Sequence, residues 1–458
     1  MSFVLDDAAL TATEFCKLRG KISSLEYAQV CIAQIERYES DVRAWSYFDK
    51  QRFLDLARAA DNACPDGNVF GSRLWGVPVA VKDIFNTEDM PTEHGSPHFK
   101  SYTPGNDARV VTSLLRQGAL MAGKTVTAEF AVHHPRETRN PYDLRRTPGT
   151  SSSGSAVAVA TGMVPVALAS QTAGSTIRPA SFCGIVGFKP SFGVLPRTAM
   201  LKTTDTLDTV GIMARCVDDV GLLFDVMRVR DRNYPVVYRE YQKIERLTIG
   251  YRPWRLGIVR GPHTGNRTSK VQQCIDDLID NLSAWGCEIV DFIMPDSCAE
   301  AYAHHSRIYN KSLAYYFKRE WASDKDGFSP TMSLMIEDGL KIPFAEFQKS
   351  VDFQHQMAQS MDDQIANTCD ILIDASANDE APFGHDMNIL PDHNMLYTMG
   401  LTPAITLPLF KGENEMPVGV QFVARRFDDY KLLYFSKFVE ERFLIIKNIL
   451  KKIKQNSM

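Results

Sequence analysis

The chain has 458 residues, with 51 Lys+Arg against 55 Asp+Glu, a formal net charge of −4 with the histidines neutral. At 44% hydrophobic and 23% charged residues it has an ordinary globular composition, which excludes a disordered or collagen-like chain. The near balance of charge also removes the basic footprint of a dedicated nucleic-acid binder. Near the N-terminus, Ser23 and Glu26 have capping-box spacing, and Leu25, Ala28, Ile32 and Ile35 recur near the helical period, so a helix is predicted there. Residues 74–81 (LWGVPVAV) form an apolar, β-branched run that predicts a buried strand ending at Lys82 and Asp83. A helix is expected over 108–117, closed by Gly118, with a short strand over 120–122. A helix over 156–161 and a strand over 164–169 come next. Residues 255–259, 270–285 and 287–293 read as strand, amphipathic helix and strand, a βαβ unit. Further strands are expected at 371–373, 404–407 and 418–423.

No internal repeat or long linker interrupts the pattern, so one α/β body is predicted, with a mixed sheet and helices on both faces. The C-terminal FLIIKNILKKIKQ carries Lys447, Lys451, Lys452 and Lys454. It reads as a final helix packed on the body with a solvated basic face, in preference to a membrane-surface helix. The opening MSFVLDDAAL has two acids where a secretion signal would carry Lys or Arg. Nine scattered cysteines without a CxxC pair suit reduced thiols, and a cytoplasmic location without a stable membrane anchor is expected.

Two motif readings are set aside on physical grounds. Residues 118–125 (GALMAGKT) satisfy the phosphate-loop pattern GxxxxGK[ST]. That loop needs a strand before it and a helix after it; here a helix precedes, and β-branched Thr125 and Val126 follow. Lys124 is accordingly read as a solvated or locally paired lysine. The histidine pairs His133-His134 and His304-His305 lack the HExxH spacing, and adjacent side chains point apart, so no metal site and no cofactor is expected. The GxSxG elbow of Ser-His-Asp hydrolases is also absent. What stands out is a stretch from Thr147 to Ile177 without a charged residue. Hydroxyl clusters around Ser151 and Ser175 flank Val157, Val159, Val164, Val166 and Leu168, which a flexible linker would not carry. Buried hydroxyls need internal partners or a ligand to receive them.

The segment RTPGTSSSGSAVAVATGMVPVALASQTAGSTIRPASFCGIVGFKPS resembles the signature of the amidase signature family. So do GVPVAVKDIF, LDTVGIMAR, LTPAITLPL and PVGVQFVA, and the likeness spans nearly the whole chain. The resemblance implies the amidase signature fold: a single large mixed twisted sheet covered by helices on both faces, one domain over 1–458. Within it, 70–230 would carry the catalytic signature, 231–400 the variable substrate pocket, and 401–458 the last strands and helix. By motif, the catalytic lysine falls on Lys82, the bridging serine (held by a cis peptide bond) on Ser151, and the nucleophile on Ser175. A buried lysine without countercharge loses its proton more easily, a serine can both donate and accept, and a serine nucleophile needs such a base. Backbone amides of Thr172, Ala173, Gly174 and Ser175 would form the oxyanion hole; Arg178, Asp208 and Ser152 would support it. Three departures from the family pattern are Gln171 where an Asp is usual, Ala173 for a Gly, and Thr150 for the Gly before Ser151. The implied activity is hydrolysis of a carboxylic amide through an acyl-enzyme, on a small-molecule substrate. Passing the acyl group to an amine, as an amidotransferase does, would use the same residues; a non-catalytic scaffold would have no use for a buried lysine. A homodimer is compatible with the resemblance. Substrate choice would lie with residues 95–103, 133–140 and 299–394, where Tyr302, Tyr309, Tyr315 and Phe317 hint at an apolar acyl pocket, although plain core is the commoner use of such aromatics.

Overall fold

Eleven strands join in one mixed sheet in the order β1-β3-β2-β4-β6-β5-β10-β11-β9-β7-β8. They are β1 (Trp45–Phe48), β2 (Pro78–Lys82), β3 (Leu120–Thr125), β4 (Val166–Gln171), β5 (Val186–Lys189), β6 (Thr209–Ala214), β7 (Arg255–Arg260), β8 (Glu288–Ile293), β9 (Ile371–Ala375), β10 (Ala404–Lys411) and β11 (Pro417–Val423). The structure, a computed structural model, describes residues 9–64, 71–229, 253–261, 264–384 and 392–456. β2 runs parallel to both β3 and β4, and β7 to both β8 and β9; the remaining pairings are antiparallel.

Both faces of this sheet are covered, and strand alternation shows it. Ile258, Ile371, Ile405 and Phe422 belong to one core cluster, while their neighbours Val259, Leu372, Ala404 and Val423 belong to another. Successive strand residues point to opposite faces, so the two clusters lie on opposite sides. The helices Ser24–Val42, Ser153–Ala160, Val217–Met227 and Ser269–Ala284 contribute to the first cluster. Ala301–Tyr316, Phe344–Thr368 and Asn394–Met399 contribute to the second.

The expected elements are present with shifted ends. The capping box at Ser23 and Glu26 opens the helix Ser24–Val42. The strand expected from Leu74 starts only at Pro78, because Gly76 turns the chain at φ 76°. A Cβ there would stand 2.3 Å from Ser24 Oγ, so the turn needs glycine. The short strand at Leu120 runs on to Thr125, which makes Gly123, Lys124 and Thr125 buried strand and leaves no loop for a phosphate. The βαβ unit forms as expected, with β7 and β8 parallel neighbours around the helix Ser269–Ala284. Strands β1, β5 and β6 and the helices Pro330–Lys341 and Phe344–Thr368 add to the expected set. The tail belongs to the helix Asp429–Asn456, but the side chains of Lys447, Lys451, Lys452 and Lys454 lie outside the described residues, as does most of the acidic N-terminal segment. Residues 231–252, 262–263 and 385–391 of the variable part also lie outside them. All nine cysteines are free thiols. No helix among the described residues is long and apolar enough to cross a membrane.

Candidate active site

The site gathers where the parallel strands β2, β3 and β4 end. Lys82 closes β2, and pairing of Val81 with Leu168 sets it beside the end of β4, where Ser170 and Gln171 stand. Ser151 and Ser152 precede the helix Ser153–Ala160, which packs on β2, β3, β4 and β6. Small residues permit that approach. A Cβ on Gly154 would lie 2.3 Å from Ala44 O and 2.5 Å from Val126 N. Ser155 Oγ bonds Thr125 Oγ1 at 2.7 Å and donates to Leu168 O at 2.8 Å, which fastens the helix start to β3 and β4.

Lys82 is fully buried, and its Nζ lies 2.6 Å from Ser151 Oγ, 2.9 Å from Ser152 Oγ and 2.8 Å from Ser170 Oγ. Among the described residues it forms no ion pair. Burial therefore holds its pKa well below the usual lysine range; Asp208 acts the other way and is outweighed. Proton counting then orders the cluster. Ser152 donates its hydroxyl proton to Ser170 O at 3.2 Å, so toward Lys82 it can only accept. A neutral amine has two N–H groups and one lone pair, so three hydroxyls around it are all satisfied when one of them donates.

Ser151 adopts φ 47°, and no peptide bond among the described residues is cis, so the expected cis bond at Ser151 is replaced by a left-handed backbone. The physical reason is relative cost: a cis bond at a non-proline costs about 3–4 kcal/mol, a left-handed residue about 1–2 kcal/mol. Gly149, at φ 93°, approaches the next helix so closely that a Cβ would be 2.9 Å from Pro179 Cα. The Ser151 loop thus rests on the helix Ile177–Phe182, just beyond Ser175. Ser175 itself is partly exposed in the turn before that helix, and among the described residues its hydroxyl bonds neither Ser151 nor Lys82. The structure brings Lys82, Ser151 and Ser152 into contact, and Ser175 forms no hydrogen bond to them among the described residues.

The residues around Ser175 account for one departure from the family pattern, Gln171. Buried Gln171 accepts from the amides of Thr176 (3.0 Å) and Ile177 (3.1 Å), a task an Asp could also do, and donates through Nε2 to Thr398 Oγ1 at 3.1 Å, which an ionised Asp could not. Gly174 faces Arg178: a Cβ would be 2.7 Å from Nη2. Arg178 in turn donates from Nε (2.9 Å) and Nη2 (2.7 Å) to Asp392 Oδ2. Asp208 accepts from Thr172 Oγ1 at 2.7 Å and from the amides of Thr203 and Thr204 at 2.7 and 2.9 Å, tying the loop after β4 to the segment before β6.

Lys124 resolves the alternative left by its sequence reading: it is buried and paired, 3.0 Å from Asp83 Oδ1 and 2.6 Å from Thr92 Oγ1, and not solvated. Of the histidines, His305 is buried and donates from Nε2 to Thr172 O at 2.9 Å. Among the described residues no cluster of His, Cys, Asp or Glu could hold a metal. Of the aromatics, Tyr309 and Phe317 are buried in a cluster with Phe130 and Phe328, Tyr315 is exposed, and Tyr302 donates to Asp392 O at 2.6 Å. Sequence reasoning misses Ser170, His305, Asp392 and Thr398. Ser170 has a signal, since it sits in the uncharged stretch five positions before Ser175; the other three come from distant segments without a local pattern.

Residues 26–433 match the profile of the family described as Amidase. The chain belongs to the amidase family. It is 30% identical over 469 aligned residues to a glutamyl-tRNA(Gln) amidotransferase subunit of Chloroflexus aurantiacus, covering 94% of this amidase-family chain and 95% of the relative. The solved glutamyl-tRNA(Gln) amidotransferase subunit of Thermotoga maritima superimposes with a TM-score of 0.75 at 25% identity, covering 94% of each chain. The peptide amidase of Stenotrophomonas maltophilia shares the fold with a TM-score of 0.81 at 23% identity, covering 96% of this chain and 98% of its own.

Proposed function

We propose that the protein is a serine amidase: Ser175 attacks a carboxylic amide, Ser151 relays its proton to neutral Lys82, and an acyl-enzyme forms. One observation carries this reading: a fully buried Lys82 surrounded by three hydroxyls. In the first half-reaction the Ser175 Oγ–carbonyl bond forms as its proton passes to Ser151, which gives its own to Lys82. Amides of the 172–175 loop receive the oxyanion. Collapse then breaks the C–N bond, and the proton returns through Ser151 to the leaving amine. Water completes hydrolysis by the same relay. The relay needs neither cofactor nor metal.

A second reading is favoured by the likeness to amidotransferase chains: the acyl group passes from Ser175 to an amine acceptor and forms a new amide, with the acceptor's proton taken up by the same relay. Both readings require Ser175. A fluorophosphonate probe is expected to label the wild-type chain at Ser175 and to leave Ser175→Ala unlabelled; labelling of the alanine variant at another serine would overturn the assignment. Hydroxylamine then separates the readings. A hydrolase diverts its acyl-enzyme modestly to hydroxamate, whereas a transferase leaks little acyl group to water.

A further inference from the structure

Three consecutive carbonyls in the loop after β4 are each held by a donor, two of them from distant segments. Thr172 O accepts from His305 Nε2 at 2.9 Å, Ala173 O from Thr398 Oγ1 at 2.8 Å, and Gly174 O from the Arg178 amide at 3.0 Å. Among the described residues no acceptor engages the amides of Ala173, Gly174 or Ser175. In a trans peptide the C=O and the next N–H point in opposite directions. Each held carbonyl therefore fixes the direction of the free N–H that shares its peptide plane.

Two of the three donors are side chains from the far half of the sequence. His305 is on the helix Ala301–Tyr316 and Thr398 on the helix Asn394–Met399, and both are buried. A carbonyl can only accept, so His305 is the Nε2–H tautomer. Its burial holds its pKa at about 4, so it stays neutral through the working range and adds no charge beside the site. Thr398 is itself oriented by Gln171 Nε2 at 3.1 Å, the residue that departs from the family pattern.

We infer that His305 and Thr398 are positioning residues that aim the Ala173 and Gly174 amides at the developing oxyanion. This rests on the reading of Ser175 as nucleophile and names which side chains set its electrostatic partner. Losing an interaction that counts only as negative charge develops lowers the rate of the chemical step and leaves the base untouched.

The test uses the full-length protein, a fluorophosphonate probe, and the pH dependence of the labelling rate at saturating and at low probe. His305→Phe keeps the ring and loses the donor; Thr398→Val keeps the shape and loses the hydroxyl. Each is expected to lower the maximal labelling rate by about 10-fold or more, part of the roughly 10²–10³-fold seen when one oxyanion donor is removed outright. Half-saturating probe concentration and the pH midpoint set by Lys82 should not move. His305→Gln and Thr398→Ser, which restore a donor, should recover much of the rate. Wild-type labelling rates in both His305→Phe and Thr398→Val would overturn the inference, as would equal losses in the conservative variants or a shifted pH midpoint. Should one variant fail to fold, the other decides. Failure of the nucleophile reading looks different: the wild-type chain would then not be labelled at Ser175 at all.

Discussion

Two fully buried lysines stand near the ends of neighbouring parallel strands, and the charge of their surroundings differs. Lys124, on β3, lies 3.0 Å from the buried carboxylate of Asp83 and also donates to Thr92 Oγ1 and Pro91 O. Lys82, on β2, meets among the described residues the hydroxyls of Ser151, Ser152 and Ser170 and no carboxylate. Burial lowers both pKa values, but Asp83 opposes the shift at Lys124 from contact distance, while at Lys82 only the more distant Asp208 does. Asp83 is also pushed up, to about 6, because burial outweighs the attraction of Lys124. The same side chain, equally dry, is thus a paired structural cation in one place and, in the other, an amine without a contacting carboxylate, the base of the proposed mechanism. What decides is the neighbour: a carboxylate stabilises only the ammonium, whereas a hydroxyl serves amine and ammonium alike.

The sharpest way to break this contrast is to deny Lys82 its neutral form. Lys82→Arg keeps a cation that does not lose its proton, and Lys82→Ala removes the base. Both are expected to lower the rate of Ser175 labelling by about 10²–10⁴-fold, the usual worth of a positioned general base. In the wild-type chain the rate should climb with pH as Lys82 loses its proton, with a midpoint below the ordinary lysine value. Near-normal labelling in Lys82→Arg would refute the base assignment and leave the two lysines alike.

At Lys124 the expected effect falls on stability. Lys124→Met leaves Asp83 buried without its cation, which costs about 3–5 kcal/mol when a buried pair is broken from one side. Asp83→Asn in the same chain should recover part of this, since the uncharged amide no longer needs a counterion and can still accept from the Glu93 amide, as Asp83 does at 3.1 Å. Urea unfolding of the three chains measures both. If Lys124→Met unfolded at the wild-type midpoint, the Asp83 pair would carry no weight.

How far the sequence foretells this arrangement depends on the range of the interaction. The strand ending at Lys82 is legible because an apolar β-branched run closing on two charges is a local pattern. Ser151, which the structure sets against Lys82, is legible from the motif and the uncharged stretch around it, whereas Ser175 is singled out by the motif and its role stays with the proposal. Lys124 cannot be assigned from sequence, because Asp83 becomes its neighbour only when β2 and β3 pair. The strand Thr209–Ala214 escapes because its apolar run is buried throughout and carries no alternation. His305 and Thr398 escape for a similar reason: each meets the loop after β4 across more than a hundred residues of chain. The cis bond is an expectation of the family pattern, and Ser151 instead takes φ 47° with a trans peptide bond.

A third buried lysine gives the mildest test of the comparison. Lys189, at the end of β5, is fully buried and bonds two backbone carbonyls, Thr402 O and Pro190 O. Carbonyls accept without carrying a full charge, so it belongs between the other two. Burial lowers its pKa to about 7, with Asp429 opposing. The sign follows from proton binding. Between about pH 7 and its unfolded value near 10.4, the unfolded chain holds a proton on this lysine that the folded chain lacks, so stability rises with pH. Below about pH 7 both states are protonated and the contribution to the slope vanishes. One proton gives at most about 1.4 kcal/mol per pH unit. Between pH 7 and 8.5 the slope of urea-unfolding stability against pH should be less positive in Lys189→Met than in the wild type, while the nine thiols, which ionise at about 8.5 in the unfolded chain, contribute alike to both. Equal slopes would mean that two carbonyls keep Lys189 protonated as well as a carboxylate would, and the ordering of the three lysines by their neighbours would fail.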